Sequence, residues 1–214
     1  MRIKERARRV LWPLVSLRRL FLKKNSYLYK TGWHNSVKHS KPISKDGECL
    51  PWMNYPLISF LDERLNKSIV MFEFGSGFST TYFASRVKEI TSIEYDLEWY
   101  NKMKESCPQN AKTKYIPVDN SGTYSKSVAQ SPLRYDIIVV DGKDRVDCFK
   151  EGMGQLNDSG VIILDDSQRI DYSESFEYSK RLGYRYIHFE GLKPTGFEIE
   201  RTTIFYKDGN CLGI

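Results

Sequence analysis

The chain has little with which to staple itself together. Four cysteines, Cys49, Cys107, Cys148 and Cys211, are spread over 214 residues with no Cys-x-x-Cys pair. That spacing supplies neither a zinc site nor a disulfide framework, and it fits reduced thiols in a cytosolic protein. No run of about eighteen apolar residues occurs, so no segment is expected to span a membrane. Nor is there an internal repeat or a low-complexity segment. Histidines number three; His34 and His39 fall near the N-terminus, and His188 lies in an alternating run where a structural role is expected. A Gly-Lys-Ser/Thr sequence is missing, which argues against a phosphate-cradling Walker loop. What is present, 40% hydrophobic and 14% aromatic, is enough to bury the core of one domain unaided.

The richest stretch is Ile69 to Asp96. Val70, Met71, Phe72 and Phe74 form an apolar run too short for a buried helix, and it ends at Gly75-Ser-Gly77, so a strand runs into a tight turn. A helix follows, with Ser79, Thr80 or Thr81 available to cap it and Tyr82, Phe83 and Val87 as its inward face. Ile90 to Ile93 returns as a second strand ending at Glu94. A right-handed strand-helix-strand unit puts Gly75, Gly77 and Glu94 at one carboxyl edge of a parallel sheet, where such sheets bind ligands. A dinucleotide fingerprint would need a third glycine where Thr80 stands. Glu73, just ahead of the glycines, would repel a pyrophosphate and suits a ligand bearing an ammonium and a sulfonium.

More strands are expected at Thr113 to Val118, Tyr135 to Val140, Val161 to Leu164, Tyr184 to Phe189 and Thr202 to Tyr206, with a helix over Leu57 to Leu65 entered at Pro56. The third strand leads to Asp119-Asn120, the fourth to Asp141-Gly142 and the fifth to Asp165-Asp166. From Trp52 to Tyr206 this succession, with Glu73-x-Gly75-x-Gly77 at its head, resembles the class I S-adenosylmethionine-dependent methyltransferases. The resemblance implies an α/β fold: a doubly wound, mostly parallel, seven-stranded Rossmann-like sheet with helices on both faces, preceded here by a basic helical arm. It also implies a cofactor, S-adenosylmethionine, held by Glu73, Gly75, Ser76, Gly77, Thr80, Glu94, Tyr95, Asp119, Asn120 and Asp141. Glu94 would take the ribose hydroxyls, since a carboxylate offers lone pairs to both. Asp119-Asn120 would meet the adenine edge, or else simply form a solvated turn.

Asp141, Asp165 and Asp166 sit at the ends of strands that neighbour each other in this fold. Converging carboxylates repel unless protonated, spread out or bridged by a cation. One oxygen-methylating branch of the family holds a divalent metal with aspartates so placed, which implies Mg2+ on Asp141, Asp165 and Asp166 to activate an acceptor hydroxyl. Lys143 and Arg145 follow Asp141 closely and offer the other solution, neutralising the carboxylates without metal and orienting the acceptor while one aspartate acts as base. The nucleic-acid amino-methylating branch carries Asn/Asp-Pro-Pro-Tyr/Phe after the fourth strand; Asp141-Gly142-Lys143-Asp144 stands there instead.

Charge divides the chain. Residues 1–45 hold 13 of the 33 Lys and Arg but only one of the 27 Asp and Glu, Glu5. They are read as a basic amphipathic arm and linker, with residues 46–214 as the methyltransferase domain. Ile3, Ala7, Val10, Leu14, Leu17 and Phe21 recur at helical spacing, flanked by Arg2, Arg6, Arg9, Arg18 and Arg19, and Pro13 is expected to kink this helix or begin a second. The arm fits an anionic membrane surface through residues 2–24, a partner or self-association helix, or nucleic acid, the last fitting less well beside so many leucines. A secretory signal fits poorly, because arginines and lysines follow the apolar stretch without a cleavage site. Tyr27, Tyr29, Trp33, Trp52 and Tyr55, between arm and sheet, stand where a lid would form.

The expected function is methyl transfer to an oxygen of a small-molecule or glycan acceptor, in the cytoplasm and peripherally on the inner membrane face. The Pro51-Trp52-x-x-Tyr55-Pro56, Gly-Ser-Gly-Phe-Ser-Thr, Asp-Gly-Lys-Asp-Arg and Asp-Asp-Ser strings are similar to those of small bacterial methyltransferases of surface-glycan or lipid-linked sugar synthesis. A non-catalytic cofactor-binding or scaffold module, and an RNA methyltransferase using the arm, are the alternatives.

Overall fold

The computed structural model describes residues 2–214, with side chains from residue 11 onward. The chain begins with helix α1 (Arg2–Leu22) and two short helices, α2 (Tyr27–Lys30) and α3 (Trp33–His39). Helix α4 (Tyr55–Asp62) leads into β1 (Val70–Phe74), α5 (Phe78–Arg86), β2 (Glu89–Glu94), α6 (Leu97–Lys104) and β3 (Ala111–Tyr115). The second half runs α7 (Thr123–Lys126), β4 (Tyr135–Val140), α8 (Arg145–Met153), β5 (Leu156–Leu164), α9 (Ser173–Arg181), β6 (Arg185–Gly191) and β7 (Glu200–Tyr206).

The seven strands form one sheet in the order β3-β2-β1-β4-β5-β7-β6. Pairings among β1 to β5 are parallel, and β7 enters antiparallel between β5 and β6. Because successive strand side chains face opposite ways, each central strand feeds two cores. Met71, Ile137, Val139, Val161, Ile163 and Ile204 pack with α4 and α5. Phe72, Phe74, Ile138, Val140, Ile162, Leu164 and Phe205 pack on the other face with α7 and α8. The sheet is therefore covered on both sides, as the sequence pattern predicts.

Several boundaries differ from expectation for local reasons. Helix α4 starts two residues early because Asn54 caps it, its side-chain oxygen accepting from the Leu57 N–H at 3.1 Å. The same amide donates to Phe189 O at 2.9 Å and Thr202 Oγ1 at 3.1 Å, so a fully buried asparagine joins α4 to β6 and β7. Edge strand β3 lies earlier than Thr113 to Val118, its Lys112 and Lys114 exposed where a charged edge discourages further pairing. Helix α1 runs through Pro13, which occupies an interior position. Leu28 and Trp33 belong to the same core as β1, so the packed body of the protein reaches back before residue 45. Among the described residues no helix is long and apolar enough to cross a membrane.

Candidate functional site

The turn after β1 is held by a buried carboxylate rather than by glycine alone. Glu73 is wholly buried, and its Oε2 accepts from Thr80 Oγ1 at 2.5 Å and Ser92 Oγ at 2.7 Å. Thr80 Oγ1 in turn accepts the Gly77 N–H at 2.9 Å, and Ser76 Oγ meets Ser92 Oγ at 2.7 Å. Glu73 and Thr80 thus act behind the turn and do not line the cleft it forms. Burial pushes the Glu73 carboxyl up to about 7, with its bonds from Ser92 and Thr80 opposing the rise. Its second oxygen, Oε1, is buried without a partner.

The glycines of the turn differ in kind. Gly75 has φ +97°, and a Cβ there would stand 2.8 Å from the Asp141 carbonyl oxygen, so the backbone itself requires glycine. Gly77 has φ 179°, which any residue adopts, and a Cβ there would meet nothing closer than Trp99 Nε1 at 3.7 Å. Nothing in the protein forbids a side chain at 77; its lack keeps a cleft open.

That cleft, of about 380 Å³, lies at the carboxyl ends of β1, β2 and β4. Gly75, Ser76, Gly77, Glu94, Tyr95 and Asp141, all expected at the cofactor, line it. Glu94 is nearly buried, and its Oε1 accepts from the N–H groups of Tyr95 and Asp96 at 2.8 and 2.9 Å, which fixes the carboxylate in the cleft wall. Burial raises its pKa, partly offset by those amides. Asp96 caps α6 by accepting the Trp99 N–H. Trp52, Phe78 and Trp99 add an aromatic wall, Phe78 lying 6.0 Å from Trp52 and 6.1 Å from Trp99 between ring centroids. Trp99 is anchored by its indole N–H on Ser76 O at 2.7 Å. Asp119 and Asn120 are exposed and outside this lining. The Asp119 carboxylate accepts from Thr123 and Ser121 in the turn into α7 and is held down to about 2 by those bonds.

The acidic cluster also differs from expectation. Asp165 Oδ2 takes Lys193 Nζ at 2.6 Å and its Oδ1 takes Thr202 Oγ1 at 2.5 Å. Lys193 also pairs with Asp166 Oδ1, so one ammonium bridges both carboxylates. Arg169 lies 2.8 Å from Asp166 Oδ2, while Arg145 holds Asp141 Oδ1 at 2.8 Å and reaches Asp165 O at 2.7 Å. Three cations balance three carboxylates, and among the described residues no group of three acidic, histidine or cysteine side chains is arranged to hold a metal ion. The residues do not fit the magnesium set expected of Asp141, Asp165 and Asp166. Arg145 does neutralise the cluster; Lys143 is exposed and makes no ion pair with it, and Lys193 takes the place expected of Lys143. Burial and the nearby Asp165 raise the Asp141 pKa well above the carboxylate range despite Arg145. Burial works the same way on Asp166, but Lys193, Arg145 and Arg169 outweigh it and hold that carboxyl low. His188 bonds Thr203 Oγ1 from β6 and does not line the cleft.

Lys193 is the residue that local sequence does not point to, and Trp52, from the aromatic stretch expected to form a lid, joins it. Both line a second cleft of about 310 Å³ under the loop between β6 and β7, and Trp52 is common to both clefts. Its indole N–H donates to Pro194 O and Thr195 Oγ1, each at 3.0 Å.

Neither a family model nor a curated protein matches the sequence. Solved structures share the fold. A precorrin 8W decarboxylase from Methanobacterium thermoautotrophicum matches at TM-score 0.52 and 19% identity, over 71% of this chain and 87% of that one. A Streptococcus mutans protein in complex with SAH matches at 0.52 and 10% identity, over 72% and 99%. The precorrin-6y C5,15-methyltransferase of Geobacter metallireducens matches at 0.50 and 15% identity, over 70% and 86%. The seven-stranded sheet, its strand order and its flanking helices are those of the Rossmann-like methyltransferase fold.

Proposed function

We propose that the protein transfers a methyl group from S-adenosylmethionine to an oxygen of a small-molecule or glycan acceptor, while its basic arm rests on an anionic membrane. The observation that carries the reading is the cleft at Gly77: an unforced glycine keeps it open, with Glu94 fixed in its wall and Asp141 at its edge. The residues fit the cofactor. Gly75 to Gly77 would receive its amino-acid end, Glu94 its ribose hydroxyls, and the aromatic side chains of Trp52, Phe78 and Trp99 would shield the cleft from water. S-adenosylmethionine supplies an electrophilic methyl group on a sulfonium.

The chain's own part is alignment and proton removal. Asp141 lines the cleft and belongs to the acidic cluster, and burial and Asp165 raise its pKa, so its carboxylate is the group in the cleft wall placed to take a hydroxyl proton. Arg145 fixes it from behind through bonds to Asp141, Gly142 and Asp165. Asp165 and Asp166 are engaged by Lys193 and serve to hold that lysine and the loop it comes from.

Two measurements test this. Calorimetry should give heat with S-adenosylmethionine and its demethylated product, and Gly77→Val should abolish that heat without lowering the unfolding midpoint; heat with NAD and none with either methionine compound overturns the cofactor. Labelled methyl transfer into glycan extract should survive EDTA, and Asp141→Asn should cut it by about 10²–10⁴-fold with a shifted pH profile. Loss of turnover on chelation, restored by magnesium, would show that a metal acts after all.

A further inference from the structure

Trp33 joins two parts of the molecule that sequence sets far apart. It is buried, and its indole N–H donates to Gly196 O at 2.8 Å. Phe197 packs edge-on against it at 5.4 Å between centroids, and Phe21, in the last turn of α1, does so at 6.1 Å. The end of the arm and the loop between β6 and β7 therefore share one anchor. Both also present apolar side chains to solvent. Leu14, Leu17 and Leu20 are exposed on α1, and on the loop Phe197 is 76% and Ile199 73% exposed. The same loop walls the second cleft.

We propose that this loop is a second membrane-contact element, which with α1 seats the mouth of the second cleft against an anionic bilayer. The occupant follows from charge and composition. Residues 2–24 carry nine Lys or Arg against Glu5, which calls for an acidic surface. Exposed leucines, Trp12 and Phe197 call for one that also accepts apolar side chains, as a headgroup and acyl boundary does and a phosphate backbone does not. Arg19 lies over the Trp12 ring at 5.6 Å, a pairing of cation and aromatic suited to that boundary. Glu198, exposed between Phe197 and Ile199, limits the loop to shallow insertion. The docking fixes orientation: a single amphipathic helix leaves a protein free to swing, whereas two contacts on one rigid hub do not.

The inference rests on the membrane reading of the arm, and the test separates them. Unilamellar vesicles of phosphatidylglycerol and phosphatidylcholine are the probe, with co-sedimentation as the readout. The unchanged protein should partition onto them, and the paired change Phe197→Ser and Ile199→Ser should weaken partitioning by about tenfold or more, since each is a large exposed apolar side chain. Hydrogen exchange across residues 195–200 should also slow on vesicles in the unchanged protein. If the loop variant partitions normally while Leu14→Ser with Leu17→Ser does not, the inference fails and the arm reading stands. If the unchanged protein ignores vesicles and binds RNA saturably with steep salt dependence, both fail.

Discussion

Glu73 sits beneath the cleft as a carboxylate with two hydroxyl donors on one oxygen and none on the other. Its pKa of about 7 in the folded protein lies above that of a free glutamate, so the folded state holds its proton more tightly than the unfolded chain does. The stability contributed by this group is full below the unfolded pKa and is lost as pH rises through about 7. At 1.36 kcal/mol per pKa unit the loss is on the order of 3 kcal/mol. Glu73→Gln keeps an oxygen for Thr80 and Ser92 but cannot ionise. Urea unfolding of the two proteins from pH 5 to pH 8 should show wild-type stability falling relative to the variant. Curves that run parallel would mean Glu73 keeps its charge throughout, and that the turn rests on an anion.

At the scale of elements, legibility followed burial and sequence distance. Strands β1, β4 and β5 are apolar on both faces, and their runs are readable because nothing but a buried parallel strand of that length satisfies them. Edge strand β3 reads as AKTKY, with three of its five positions exposed, and its limits are set by pairing with β2 rather than by its own composition. The glycine turn and Glu94 were legible because the strand, turn, helix and strand that place them follow one another within Ile69 to Asp96. The neutralisation of the acidic cluster was not. Lys193 meets Asp165 across 28 residues and Trp52 meets Thr195 across 143, and no periodicity encodes such meetings. Asp119 was ambiguous for the opposite reason: an aspartate before Ser121 and Thr123 satisfies a turn and a ligand equally well on paper, and its bonds in the structure are those of the turn.

Over the whole molecule, the arm carries the positive charge and little of the packing. Removing residues 1–24 would change the formal net charge from +6 to −2. It would also strip Trp33 of the edge-on Phe21 ring, a pairing worth about 0.5–1.5 kcal/mol. A chain starting at Asn25 should therefore stay soluble, unfold cooperatively within about 2 kcal/mol of the full protein, and bind cofactor equally well. Non-cooperative unfolding of that chain would show the arm to be part of the core. The place of β7 has a bearing on how the protein is made. It is the last of the seven strands in chain order, yet it inserts between β5 and β6, and Thr202 on it completes the bonding of Asp165 and of Asn54. The N-terminal segment waits on the same event, since Trp33, Trp52 and Tyr55 all bond to the loop after β6. Assembly is consequently back-loaded: a nascent chain stalled before residue 200 has every glycine and carboxylate of its cleft but lacks the strand that closes the sheet beside β5 and links it to β6, while its arm, made before any strand, is already free.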